Sequence, residues 1–318
     1  MFVGIEIGGT KLQLGLGRGD GTILGMWRGT VNPEAGSEGI RKQIEGAIPE
    51  LFANANADRA TLRGVGIGFG GPVDDTTATV IKSHQIEGWD EFPLADWVSD
   101  LAGVPAVLGN DADVAGLGEA LFGAGKGLSP VFYITLGSGV GGGLIIDGQI
   151  YRGCGRGAAE IGHLRLRHPS VADHEHMLTL EAFASGWGIE AQAEFGERVG
   201  GDLAAIREHV PHGRFTAKAI AAAARQGDQI AQKILDDAWQ ALAEGICSVI
   251  TLLCPRRIVI GGGVSLMGED LLFKPLRKHV EDRIFVPFRG LTEIVPASLG
   301  EEVVVHGALA LASQKLGG

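Results

Sequence analysis

Cysteine is scarce. The three in this 318-residue chain, Cys154, Cys247 and Cys254, do not make a disulfide framework and suit a reducing cytosol. Basic charge is also in short supply. Twenty-seven Lys and Arg stand against 38 Asp and Glu, a formal charge of −11. No stretch concentrates Lys or Arg, so long-range attraction to nucleic acid or to an anionic membrane is not expected. An anionic substrate such as a nucleotide would need a locally built site of backbone N–H groups, helix ends and a metal ion. No window approaches the roughly eighteen uninterrupted apolar residues of a membrane-spanning helix. The opening MFVGIEIGGTK lacks the basic start and long apolar run of a signal peptide, and a cytoplasmic location is expected.

Apolar residues make up 45% of the chain and charged residues 20%, a globular mix that rules out disorder over most of its length. The length suits two lobes, each with a sizeable core. The unusual count is glycine, 52 residues, set in tight clusters beside short apolar runs.

The reading along the chain starts with strands. Phe2 to Ile7, Leu12 to Leu16 and Ile23 to Thr30 form a β-meander, with Asp20-Gly21 as a turn. Ile40, Ile44, Ala47, Ile48 and Leu51 recur at helical spacing within Glu38 to Asn54. Further strands are expected at Gly64 to Phe69, Ala106 to Leu108, Val131 to Thr135, Leu144 to Ile146, Arg257 to Ile260 and Glu293 to Pro296. Helices are expected at Leu94 to Ala102 and Ala112 to Phe122, in four segments between Thr179 and Leu252, at Leu271 to Val280, and at His306 to Lys315. Strand-turn-strand openings near Gly4 and near Val131 suggest two related halves. The expected division is a small N-terminal lobe of 1–115, joined by a C-terminal helix at 305–318, and a larger lobe of 116–304.

Three glycine runs each end an apolar strand: GGT at 8–10, GSGVGGG at 137–143 and GGG at 261–263. In the first, Gly8 and Gly9 can take φ > 0 and turn their N–H groups inward, a nest for phosphate oxygens. Thr10 adds a hydroxyl donor, Lys11 follows, and Glu6 could hold magnesium through water. The competing reading is a tight hairpin with a surface lysine. A Walker A loop is absent, and Gly137-x-Gly139-x-Gly141 lies on a strand-to-strand turn, so dinucleotide binding is rejected. The three runs look like two phosphate clamps and an adenosine platform.

Asn110-Asp111 follows a strand and opens a helix. There Asp111 could accept a proton from an attacking hydroxyl in phosphoryl transfer, or it could simply cap the helix. Glu160 and His163, three apart after a glycine-rich loop, could point two polar groups at one polyol, or could be a surface acid and a packed histidine. Glu181 could be a first-turn acid favoured by the helix dipole.

Taken in order, IEIGGTK, GFGGPV, GND, GSGVGGG, GxGxGAAEIGH and IVIGGGV resemble the ROK family of sugar kinases and repressors, over about residues 3–313. The resemblance implies a two-lobed α/β, ribonuclease-H-like fold of the actin/hexokinase/Hsp70-like ATPase type, with an interlobe active-site cleft. It implies ATP-dependent phosphorylation of a hexose hydroxyl, at C6 and with glucose as the default substrate. Asp111 would then be the general base. Gly71, Asn110, Glu160, His163 and Glu181 would contact the sugar. Gly8, Gly9, Thr10 and Lys11, with Gly137, Ser138, Gly139, Gly141 and Gly142, would bind phosphates, and Gly262 and Gly263 would flank adenosine. ATP and magnesium are the expected cofactors, lobe closure would exclude water, and a homodimer is expected.

The chain departs from the family pattern twice. The family's first motif usually opens with Asp; Glu6 shifts the carboxylate by about 1.5 Å, one bond length. Most members also carry a CxCGxxGCxE zinc loop after the EIGH histidine. The corresponding run HLRLRHPSVADHEHMLTLE has no cysteine, so thiolate ligands are missing. His163, His168, His174 and His176 could form a histidine site, but no structural zinc is expected. A repressor would carry a helix-turn-helix domain before the first phosphate motif, which here begins within ten residues of Met1. The remaining alternative is a sugar-binding regulator with weak or lost catalysis.

Overall fold

A computed structural model describes residues 1–83, 86–155, 157–167 and 177–317. The chain divides into two compact units: residues 1–133, 143–159 and 297–318 form the first, and residues 134–142 and 160–296 the second.

In the first unit the chain runs β1 (Phe2–Ile7), β2 (Lys11–Gly17), β3 (Ile23–Thr30), α1 (Gly36–Asn54) and β4 (Gly64–Phe69). It continues through a short hairpin of β5 (Val73–Asp74) and β6 (Thr79–Val80), then α2 (Leu94–Ala102), β7 (Ala106–Asn110) and α3 (Asp111–Phe122). The sheet order is β3-β2-β1-β4-β7, antiparallel through the opening meander and parallel from β1 to β4 to β7. Parallel pairing brings the carboxyl ends of β1, β4 and β7 to one edge, where Ile7, Phe69 and Asn110 stand level. In open α/β sheets that edge is where ligands bind.

The chain goes on through β8 (Val131–Leu136), β9 (Val140–Ile146), β10 (Gln149–Ile150) and the small pair β11 (Arg165–Leu166) and β12 (Leu178–Thr179). Then come α4 (Leu180–Ala184), α5 (Gly186–Arg198), α6 (Ala204–Arg207), α7 (Ala217–Arg225), α8 (Gln229–Leu253), β13 (Arg257–Gly261), α9 (Lys274–Arg283), β14 (Glu293–Pro296) and α10 (Val303–Leu316). The second sheet has the order β10-β9-β8-β13-β14. Helices α4, α5, α7 and α8 start on capping side chains: Thr179, Ser185, Thr216 and Asp228 each accept an N–H from the first turn.

The alternation of β1 explains its packing. Val3, Ile5 and Ile7 point into a core with Ile40, Ile44, Ile48 and Leu51 of α1 and Leu94 and Val98 of α2. Each such side chain, fully buried, stabilises by about 1.5–3 kcal/mol. The opposite face carries Phe2 and Gly4 and receives α10, where Phe2 packs with Val305, Leu309 and Ala312. Glycine makes this approach possible. A methyl group at Gly4 would sit 2.8 Å from the Val305 carbonyl, one at Gly64 2.5 Å from Leu316, and one at Gly66 would overlap the Ala308 carbonyl. Gly118 of α3 and Gly307 of α10 bring those two helices equally close.

The structure corrects three boundaries. The return strand begins at Val140, so Gly141 and Gly142 lie inside β9 rather than in the turn. The helix expected from Leu271 is instead a π-helical turn, Glu269–Phe273, followed by α9, where Pro275 sits in the first turn and needs no intrahelical donor. The last helix starts at Val303, because packing of Val304 and Val305 overrides the weak helix propensity of β-branched residues. Among the described residues, no helix is long and apolar enough to cross a membrane.

Candidate active site

In the first unit, β7 delivers Asn110 and Asp111 to the strand-end edge. Asn110, not Asp111, is the N-cap of α3: its Oδ1 accepts the Ala112 N–H at 2.9 Å. The Ala112 N–H also reaches Asp111 Oδ1, at 2.8 Å. Asn110 Nδ2 donates to the Gly71 carbonyl at 3.0 Å, tying the helix start to the turn after β4. Asp111 Oδ2 lies over Gly70, where a methyl group would meet it at 3.4 Å. Asp111 is therefore held from its neighbours on both sides, half-buried, at the end of a central strand.

Glu6 lies one residue before the end of β1 and is 5% exposed. Its Oε1 is 3.0 Å from Lys11 Nζ, and Lys11 Nζ also donates to the Glu301 carbonyl at 3.2 Å. Glu6 Oε2 is buried with no hydrogen-bond partner among the described residues. Burial pushes the Glu6 carboxyl up, Lys11 draws it back, and the charges of Asp111 and Glu301 push it up again, to about 7.

The first glycine run differs from its expectation. Gly8 N–H donates to the Lys11 carbonyl at 3.0 Å, closing the hairpin, so this amide is spent inside the turn. Neither Gly8 nor Gly9 is among the described glycines with positive φ, and the inward-turned nest is not formed as expected.

In the second unit, Gly137, Ser138 and Gly139 make the turn from β8 to β9, closed by Gly137 N–H to the Gly139 carbonyl at 2.9 Å. The start of α5 is pinned to it: Gly186 N–H donates to the Gly137 carbonyl at 2.8 Å. Glu181 of α4 accepts the Val140 N–H at 2.8 Å through Oε2, and that oxygen lies against Gly139. One oxygen of Glu181 thus braces the glycine turn, a role its sequence position did not disclose. Glu160 and His163 are exposed and flank the 3₁₀ turn Ile161–His163, where Gly162 packs onto the Val140 backbone. Gly262, at φ 86°, follows β13 against the Leu136 carbonyl, and Gly263 opens a 3₁₀ turn. Both are exposed. His168, His174 and His176 lie outside the described residues. Among the described residues, no group of three or more His, Cys, Asp or Glu is placed to hold a metal ion.

The ROK family model matches residues 2–315. The chain belongs to the ROK family. Within it, the chain is 32% identical over 316 residues to a glucokinase of Halalkalibacterium halodurans, covering 99% of this chain and 95% of that one. It is 27% identical to a putative xylose repressor of Caldicellulosiruptor, covering 98% of this chain and 77% of that one. A crystal structure of a ROK family glucokinase from Streptomyces griseus, in complex with glucose and AMPPNP, superposes with a TM-score of 0.79 at 33% identity, covering 98% of this chain and 99% of that one. The α/β architecture is thus the actin/hexokinase-like fold of the ROK kinases.

Proposed function

We propose that the protein is an ATP-dependent sugar kinase that phosphorylates a hexose hydroxyl, at C6 and with glucose as the default substrate. The single observation that carries this reading is the placement of Asp111. It is the first residue of α3 at the carboxyl end of a parallel strand, beside the Asn110–Gly71 tie. The likeness to relatives named glucokinases, and to a structure holding glucose and an ATP analogue, supports the same reading.

In this reading Asp111 takes the proton from the attacking hydroxyl as the γ-phosphoryl group moves, a step in which positioning and charge neutralisation supply most of the catalysis. Gly71 and Asn110, with Glu160, His163 and Glu181, hold the sugar. Gly9, Thr10 and Lys11, with Gly137 to Gly142, hold phosphates, and Gly262 and Gly263 flank adenosine. Magnesium fits the orphaned Glu6 Oε2: burial is what raises the Glu6 carboxyl, and a cation beside it would favour the charged form. With no cage of three ligands among the described residues, Glu6 would hold it through water, with nucleotide oxygens completing the shell. Bound there, magnesium would neutralise charge on the triphosphate.

The test is a coupled ADP-release assay across hexoses, polyols and N-acetylated sugars. Sugar-dependent turnover is expected, falling about 10²–10⁴-fold in Asp111→Asn. The second reading, a sugar-binding regulator with weak or lost catalysis, is favoured by the two departures from the family pattern, Glu6 in place of the usual Asp and the cysteine-free run after His163. Saturable sugar binding with no turnover in either protein would select it.

A further inference from the structure

Glu119 is fully buried, at 0% exposure, and the proposed mechanism does not use it. It lies on α3, the helix that Asp111 begins. A buried carboxylate is costly unless hydrogen bonds surround it, and Glu119 is surrounded. Its Oε1 accepts the N–H groups of Ser298 and Leu299, both at 2.8 Å. Its Oε2 accepts the Ala124 N–H at 2.7 Å and the Ser298 hydroxyl at 3.3 Å. A methyl group at Gly123 would collide with this same carboxylate. The carboxylate therefore clamps two segments, one local and one 179 residues away.

The distant segment leads to the candidate phosphate site. Two residues beyond Leu299, the Glu301 carbonyl accepts Lys11 Nζ at 3.2 Å, and the same ammonium lies 3.0 Å from Glu6 Oε1. Glu302, next in line, pairs with Arg28 of β3. A continuous run of short contacts thus joins α3 to Lys11, through Glu119, the backbone of 298–301 and one carbonyl. The geometry points to Glu119 as a positioning residue that sets where Lys11 stands relative to Asp111. The inference rests on the kinase reading above, in which Lys11 meets the nucleotide.

Glu119→Gln is the first variant. It replaces one acceptor oxygen by an NH₂ group that faces donors already in place, so the clamp on 298–299 fails on one side. Steady-state kinetics on purified protein should show KM for ATP rising about tenfold, the effect of losing one well-placed polar interaction. KM for the sugar should change less than twofold. Ser298→Ala, which removes only the 3.3 Å hydroxyl contact, is the milder variant should Glu119→Gln fail to fold; a rise in KM for ATP of about two- to threefold is expected. The deciding measurement is a double-mutant cycle with Lys11→Met. If Glu119 acts through Lys11, its effect on KM for ATP collapses when Lys11 is already gone. Additive effects, or equal rises in both KM values, would overturn the positioning role. A wild-type chain with no sugar-dependent ADP release would instead sink the kinase reading itself.

Discussion

Two glycine-rich regions look alike in the sequence and are packed differently. The face of the first sheet under α10 is floored by Gly4, Gly15, Gly17, Gly64, Gly66 and Gly68. At each of these an added methyl group would run into α10, a neighbouring strand or turn, or α3. Gly263, after β13 in the second unit, has open space where a side chain would go, and a methyl group at Gly137 would meet nothing closer than 4.0 Å. In the floor, glycine is required because neighbouring backbone comes close at Gly4, Gly17 and Gly66, and packed side chains of α10 do so at Gly15, Gly64 and Gly68. At Gly137 and Gly263 no neighbour demands it, whereas at Gly139 an added methyl group would run into Glu181 Oε2 and at Gly262 it would meet the Leu136 carbonyl at 2.5 Å. The comparison teaches that glycine count alone does not say why a glycine is present; the space around each one separates the packed from the open.

The largest expected effect breaks the floor. Gly66→Ala drives a methyl group into the Ala308 carbonyl, and backbone on either side cannot yield. A loss of about 3 kcal/mol or more, or failure to fold, is expected in chemical denaturation. Gly262→Ala comes next. It combines φ 86° with a 2.5 Å approach to the Leu136 carbonyl, and a loss of about 2–3 kcal/mol is expected by the same measurement.

A third experiment uses the floor's own acid. Glu6 shares the face that meets α10 and is desolvated there, which raises its carboxyl from 4.5 to about 7. Between those values the folded chain holds a proton that the unfolded chain has released, so the Glu6 contribution to stability falls as pH rises through that window. Glu6→Gln has no such dependence. Its stability relative to the wild type should grow by on the order of 1–3 kcal/mol between pH 5 and 8, read as Tm against pH. A constant difference across that range would show that Glu6 is not buried as described. The smallest stability effect is Gly263→Ala, within about 1 kcal/mol, and the same variant should raise KM for ATP several-fold. A large loss of stability there would erase the distinction between the two regions.

The strands were legible because their apolar runs are short and end at glycine, and α1 was legible from its 3.6-residue spacing. The short strands β5, β6, β11 and β12 were not, since two residues carry no period. The floor was hidden for a different reason. GVGIGF alternates as a strand should, but which helix its glycines accept depends on α10, more than 200 residues away. At the site, Asn110-Asp111 could be read as a strand-to-helix junction, yet the choice of Asn110 as cap needed coordinates. The Lys11–Glu301 and Glu119–Ser298 contacts pair residues 290 and 179 positions apart, and no local pattern announces them.

The most direct measurement follows the phosphorus. With ATP, magnesium and glucose, ³¹P NMR of the reaction should show a sugar phosphoester growing in step with ADP. Asp111→Asn should slow that signal about 10²–10⁴-fold. Release of ADP with inorganic phosphate alone, or an Asp111→Asn protein as fast as the wild type, would contradict the account.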